Sequence, residues 1–193
     1  MPKLGMEPIR RAALVKATID EIGTAGTLDV TVGQIARRAG VSSALAHHYF
    51  GGKDDLFLAA MRHILTQYGA AVQARLSKAN GPRERLDAVV RASFEQEQFS
   101  GHVVSAWLNF YVAAQSSPRA QRLLKVYQRR LRSNLVHDLR PLVGARAPVA
   151  AETVAALIDG LYIRAALAPG QSAPEDAAGR VLRLLDMVIA EVT

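Results

Sequence analysis

The 193-residue chain reads as an all-α protein, and three observations carry that reading. Apolar residues recur at i, i+3, i+4 and i+7 along most of the chain, the spacing that gathers them on one side of a 3.6-residue helix. No run alternates β-branched and polar residues as a half-buried strand does. The interruptions are helix-ending ones: Gly26, Ala39-Gly40, Gly51-Gly52, Asn80-Gly81-Pro82, Pro118, and the stretches Pro141 to Pro148 and Pro169 to Pro174. Between them the spacing predicts about nine helices, at 7–25, 31–38, 42–49, 53–79, 82–97, 101–116, 118–139, 148–168 and 174–191.

Composition supports a globular chain with a substantial core, since 50% of residues are hydrophobic and 21% charged. Cysteine is absent, which excludes disulfides and any thiolate ligand or nucleophile. No uninterrupted apolar run reaches the roughly 20 residues that cross a bilayer. The basic start MPKLGMEPIRR lacks the apolar region and cleavage site of a secretory signal, so a cytoplasmic location is expected. The net charge of +7 suits a polyanionic partner. Residues 1–53 hold seven Lys/Arg against four Asp/Glu and the remainder seventeen against thirteen, so the arrangement of charges has to identify that partner.

The first helix, 7–25, is followed by two short ones with legible ends. Thr31 and Gln34 form a T-x-x-Q capping box that opens the helix at 31–38. Ile35, Ala36 and Ala39 share one face, with Arg37 and Arg38 on the other. Gly40 stands where a left-handed cap closes that helix, and Ser42 is a good N-cap for the next. Val41 and Ala46 are placed to staple the entry angle. Two short helices joined in this way form either an ordinary helical corner or a helix-turn-helix, whose second helix enters the major groove.

Three features favour the second reading. The outward side of 42–48 offers Ser42, Ser43, Ala44, His47 and His48, small or hydrogen-bonding groups that suit base edges. Lys53 follows at the start of the next helix, within reach of a phosphate. Ahead of the joint, Lys3, Arg10 and Arg11 form a basic arm for backbone or minor-groove contact. Adjacent His47 and His48 point about 100° apart on a helix, so they do not chelate one ion and no metal is expected.

The pattern T-x-x-x-I-A-x-x-A-G-V-S, then Y-F-x-x-K-x-x-L, closely resembles the DNA-binding signature of TetR-family repressors. Thr31, Ile35, Ala36, Ala39, Gly40, Val41, Ser42, Tyr49, Phe50, Lys53 and Leu56 stand at its positions. Further stretches, QIARRAGVS, HYF, AWLNF, RRLRSNLV and ALIDGLYIRAAL, resemble the branch that represses choline-to-glycine-betaine genes. Many family members carry a phosphate-gripping tyrosine where this chain has His47. An imidazole in that role implies operator binding that strengthens as pH falls.

The resemblance implies a DNA-binding head at 1–52, with Gly33 beside Thr31 at the DNA edge, and a ligand-binding and dimerisation body at 53–193. It implies a repressor of osmoprotectant genes, working on double-stranded operator DNA and relieved by a small cationic effector such as choline or betaine aldehyde. A family member with a hydrophobic, drug-like effector is the alternative, and a helical protein-interaction scaffold a more distant one. Aromatic faces and a carboxylate are the groups that hold a quaternary ammonium. Trp107, Phe110 and Tyr111 share a face at i, i+3, i+4, and Asp159 and Tyr162 lie one turn apart, so these five are the expected pocket. They serve equally well as core filling.

The most apolar helices close the chain. Val154, Leu157, Ile158, Leu161 and Ala165 form one stripe, and Val181, Leu182, Leu184, Leu185, Val188 and Ile189 another. They are either buried within the subunit or docked on a second copy, which the resemblance favours. The helix 118–139 carries Arg119, Arg122, Lys125, Arg129, Arg130 and Arg132 with only Asp138 opposing, and reads as a solvated face. There is no Gly-rich phosphate loop, G-x-S-x-G or H-E-x-x-H, so neither an enzyme nor a cofactor is expected.

Overall fold

A computed structural model describes residues 5–168 and 173–191, and Lys3 lies outside them. Among the described residues there are nine α-helices and no strand. In order they are α1 Met6–Ala25, α2 Val32–Arg38, α3 Ser43–Phe50, α4 Lys53–Leu76, α5 Pro82–Ser93, α6 Gly101–Ser116, α7 Pro118–Val143, α8 Ala147–Leu167 and α9 Pro174–Ala190. A single 3-10 turn, Gly144–Arg146, joins α7 to α8.

Three boundaries differ from the periodicity. α4 stops at Leu76, short of the expected residue 79. α5 ends at Ser93 rather than 97. There the chain turns so that Phe94 and Phe99 meet edge-on, 5.2 Å between centroids, beside Tyr162. The Tyr162 hydroxyl donates to the Ser93 carbonyl, left free by the helix end. α7 continues through Pro141 to Val143. A proline inside a helix costs about 3 kcal/mol, which the burial of flanking Leu139 and Val143 offsets at roughly 1.5–3 kcal/mol each.

One apolar core runs from head to body. Leu14, Ala17 and Ile22 of α1 pack with Ile35, Ala36 and Ala46, and the cluster continues into α4 through Leu56, Phe57, Met61 and Ile64. α1 also lies on α6. Asn109 Nδ2 donates to the Gly26 carbonyl at 3.2 Å, and His102 Nδ1 is 3.3 Å from Asp20 Oδ1. The approach is close enough that a Cβ on Gly23 would fall 2.4 Å from His102 Cγ.

The two apolar stripes near the C-terminus are divided between core and surface. Val154, Ile158, Val181 and Leu185 are fully buried within the subunit, with Leu161 and Leu182 nearly so. Leu157, Ala165, Leu184, Val188 and Ile189 of the same stripes are half-buried. The helical stretch 118–167 contains a segment long and apolar enough for a membrane span by length and composition alone. Its most apolar part, α8, packs Ala147, Ala150, Ala151, Val154, Ile158 and Leu161 into the core.

Candidate DNA-binding head and ligand cavity

Both short helices of the head are closed as their sequence predicts. Thr31 Oγ1 accepts from the Gln34 amide at 3.2 Å, and the Gln34 side chain accepts from the Thr31 amide at 2.7 Å. After α2 the chain adopts the Schellman arrangement. Gly40 has φ +67°, its amide bonds to the Arg37 carbonyl, and the Val41 amide bonds to that of Ala36. Ser42 Oγ accepts from the Leu45 amide at 3.2 Å. Ala46 is fully buried while half-buried Val41 packs against the same core, fixing α3 against α2.

The opposite side of α3 is open. Ser42, Ser43, Ala44, His47 and His48 are exposed, as are Thr31 and Lys53, and Gly33 sits with Ser43 at the α2–α3 junction. Lys53 is the first residue of α4 and has no carboxylate partner among the described residues. His47 Nδ1 lies 2.8 Å from the Gly51 carbonyl oxygen. A carbonyl only accepts, so the single N–H of a neutral imidazole sits on Nδ1 and Nε2 is left as an acceptor. In this geometry His47 offers a donor to a phosphate only when protonated.

The basic arm is not free chain. Arg10 and Arg11 lie within α1. Arg11 is engaged inside the head: its guanidinium donates to the Tyr49 carbonyl at 2.8 Å, pairs with Glu7 and lies over the Tyr49 and Phe50 rings. It braces α3 from behind. Arg38 is tied to Glu21 of α1.

In the body, Trp107, Tyr111 and Tyr162 do converge. With Tyr68, Ser93, Gln98 and Tyr127 they line a cavity of about 10 Å³, room for about one water. Trp107 is the hub, with Tyr127 at 4.6 Å, Tyr111 at 5.7 Å and Tyr162 at 6.1 Å between ring centroids. Phe110 does not line the cavity. It is fully buried, edge-on to Phe57 of α4, and joins the cage to the core beneath the head. Asp159 is not in the lining either; it is connected through Tyr111, whose hydroxyl donates to its Oδ1 at 2.9 Å.

The charges of this site are simple. Burial raises the pKa of all four tyrosines, Tyr68 to about 12 and Tyr111, Tyr127 and Tyr162 further, so each remains a neutral hydroxyl. Asp159 has no cationic partner at ion-pair distance among the described residues. Burial pushes its carboxyl up, while hydrogen bonding from Tyr111 and Tyr127 pulls the other way. No lysine or arginine lines the cavity. Aromatic faces and a carboxylate reached through Tyr111 are the chemistry that suits a cation.

Sequence reasoning missed Tyr68, Tyr127, Ser93 and Gln98. The two tyrosines had a signal. Tyr68 extends the apolar row Phe57, Met61, Ile64 of α4, and Tyr127 opens the row continued by Leu131 and Leu135 of α7. Ser93 and Gln98 come from the break after α5, which periodicity did not place.

Comparison with known proteins bears on both halves. Residues 14–60 match the family described as bacterial regulatory proteins, tetR family. Residues 82–190 match the BetI-type transcriptional repressor C-terminal domain. The chain belongs to the TetR family. The HTH-type transcriptional regulator BetI of Brucella suis is 52% identical over 194 residues, covering 100% of this chain and 96% of its own length. That of Agrobacterium fabrum is 53% identical over 175 residues, 90% and 84% of the two chains. Among solved structures, a transcriptional regulator from Pseudomonas aeruginosa superposes with a TM-score of 0.81 at 29% identity, covering 97% of this chain and 93% of its own. A regulator from Saccharomonospora viridis in complex with choline has the same fold, with a TM-score of 0.82 at 21% identity over 93% and 97% of the chains. This chain is thus a DNA-binding transcriptional regulator of TetR type, with BetI proteins among its relatives.

Proposed function

We propose that the protein is a homodimeric, cytoplasmic repressor of choline-to-glycine-betaine genes whose operator affinity is set by a small quaternary ammonium, choline or betaine aldehyde. The observation that carries this reading is the cage of Trp107, Tyr68, Tyr111, Tyr127 and Tyr162 backed by Asp159, with no basic residue in its lining. Relatives 52% identical bear the name BetI, and the S. viridis regulator of the same fold holds choline. The role is binding; no catalytic step is assigned to any residue.

The head, residues 1–52, is read as the DNA-binding unit and 53–193 as the effector and dimer unit. Ser42, Ser43, Ala44 and His48 are placed for base edges, and Thr31, Gly33, His47 and Lys53 for phosphates. Arg10 remains a candidate on α1. Arg11 holds α3 in place, and Lys3 lies outside the described residues.

A dimer is needed to place two α3 helices in successive major grooves about 34 Å apart. Support comes from the outer face of α8. Val149, Thr153, Ala156, Gly160, Ile163 and Leu167 follow a 4-3-4-3-4 spacing, the period of a helix–helix seam. Val149 and Leu167 are 73% and 72% exposed, and Met187 of α9 is 64% exposed. This face, rather than the buried residues of the two stripes, is the one offered to the second copy.

Effector entry requires the closed cage to expand. Tyr68 stands on α4, which begins at Lys53 beside the DNA edge, and Phe110 packs on Phe57 of the same helix. Displacing them shifts α4 and with it the separation of the two heads. A coupling of about 1–3 kcal/mol lowers operator affinity roughly 5- to 150-fold. Calorimetry with millimolar choline and betaine aldehyde tests the effector, since absence of heat together with an unchanged melting temperature overturns it. A salt-sensitive, sequence-selective shift of upstream DNA tests the operator role.

A further inference from the structure

A second cleft, of about 710 Å³, opens between α4 and α7, within the size range of small-molecule sites. Its floor is apolar: Leu65, Val72, Leu123 and Leu131, closed at the back by Tyr68 and Tyr127. Val126, 41% exposed, stands at its edge. Arg62 and Arg130 line it, and none of its fifteen lining residues is acidic. Seven of the fifteen arginines of the body pair with a carboxylate, among them Arg75, Arg83, Arg85, Arg119 and Arg146. Arg62 and Arg130 have no carboxylate within reach among the described residues.

We propose that the α4–α7 cleft is a second effector site, for an amphiphilic organic anion: an apolar body on the leucine floor and a carboxylate or similar head between Arg62 and Arg130. The chemistry is opposite to that of the aromatic cage. Two uncompensated guanidiniums repel a quaternary ammonium, and an alcohol of the same length leaves them unpaired. Guanidinium suits a carboxylate because it presents two parallel donors. The site is built into the regulatory machinery, because the Tyr68–Tyr127 pair, edge-on with 6.0 Å between centroids, lines both the cleft and the closed cavity. An occupant of the cleft therefore bears on α4 and on the cage. The inference does not rest on choline being the cage ligand.

Decanoate is the probe, used below its aggregation concentration on the full-length protein, with decanol and decyltrimethylammonium as matched tails. Trp107 is the sole tryptophan and its ring is 4.6 Å from that of Tyr127, so its emission reports on the shared wall. Saturable decanoate binding is expected, with the other two ligands at least about tenfold weaker. The double substitution Arg62→Gln, Arg130→Gln is expected to weaken decanoate by at least about tenfold while leaving decanol and the melting temperature unchanged. Asp159→Asn, which disables the cage, leaves decanoate binding intact, so failure of the choline reading is distinguishable from failure of this one. The proposal is overturned if decanoate does not saturate, if decanol binds equally well, or if the double variant binds decanoate as the wild type does.

Discussion

Replacing Asp159 with asparagine separates the two consequences of enclosing that carboxylate. Its pKa is pushed up by burial, against hydrogen bonding from Tyr111 and Tyr127. A carboxyl raised in the folded state contributes stability below its unfolded value of 3.8 and loses it as pH rises through the raised value. At pH 7 the fold of the free protein therefore opposes the ionisation that the unfolded chain allows. Asparagine keeps an oxygen for the Tyr111 hydroxyl and removes the charge, so Asp159→Asn should melt higher than wild type at pH 7, with the gap closing below about pH 4. The effector reverses the order. An ammonium held on the near side of Tyr111, at about 5–6 Å from the carboxylate, gains roughly 3 kcal/mol at an effective dielectric near 20. The variant should accordingly bind choline about 100-fold more weakly by calorimetry. Wild-type affinity should fall on acidification while that of the variant stays flat. Equal choline affinity in the two proteins, or a lower melting temperature for the unliganded variant at pH 7, refutes the reasoning.

His47 is exposed on the open side of α3, so His47→Asp should weaken operator binding in a fluorescence-anisotropy titration by repelling phosphate, and an unchanged affinity removes His47 from the interface. Gly23→Ala should destabilise by about 1–3 kcal/mol, since the new Cβ meets His102 Cγ at 2.4 Å and its Cβ at 2.5 Å; adding His102→Ala, which keeps that Cβ, should recover little of the melting temperature and adding His102→Gly more. Thr31→Ala removes the side-chain half of the capping box while keeping the amide that donates to Gln34, and should cost about 1 kcal/mol, or about 2–4 °C of melting temperature. Ile163→Asp on the outer face of α8 should yield monomers by light scattering and abolish operator binding, while choline still produces heat.

The head was legible because its determinants are local. Thr31, Gly40 and Ser42 each satisfy or close a helix end through neighbours within a few residues, so their roles follow from spacing alone. The aromatic cage was half legible. Trp107 and Tyr111 share a helix face, but whether that face met Tyr127 or empty space depended on how α6 crossed α7. Phe110, one turn along, went to the core instead. Asp159 was chosen for its charge, and the tyrosine hydroxyl that links it to the cage is supplied only by tertiary packing. The apolar stripes of α8 and α9 were ambiguous for a related reason. Strong periodicity marks a buried face without saying which body buries it, and the weaker 4-3 seam of small residues on the reverse of α8 drew no attention. The surplus charge on α7 also changed meaning, since its one acid, Asp138, is buried against Arg85 and leaves the outer face purely basic.

Linked binding of operator and effector is the most direct measurement. Choline affinity should be determined by calorimetry with and without a saturating operator duplex, and operator affinity with and without saturating choline. The account predicts that each ligand weakens the other by the same factor, roughly 5- to 150-fold. Two ligands that both bind while leaving each other's affinity untouched would contradict it.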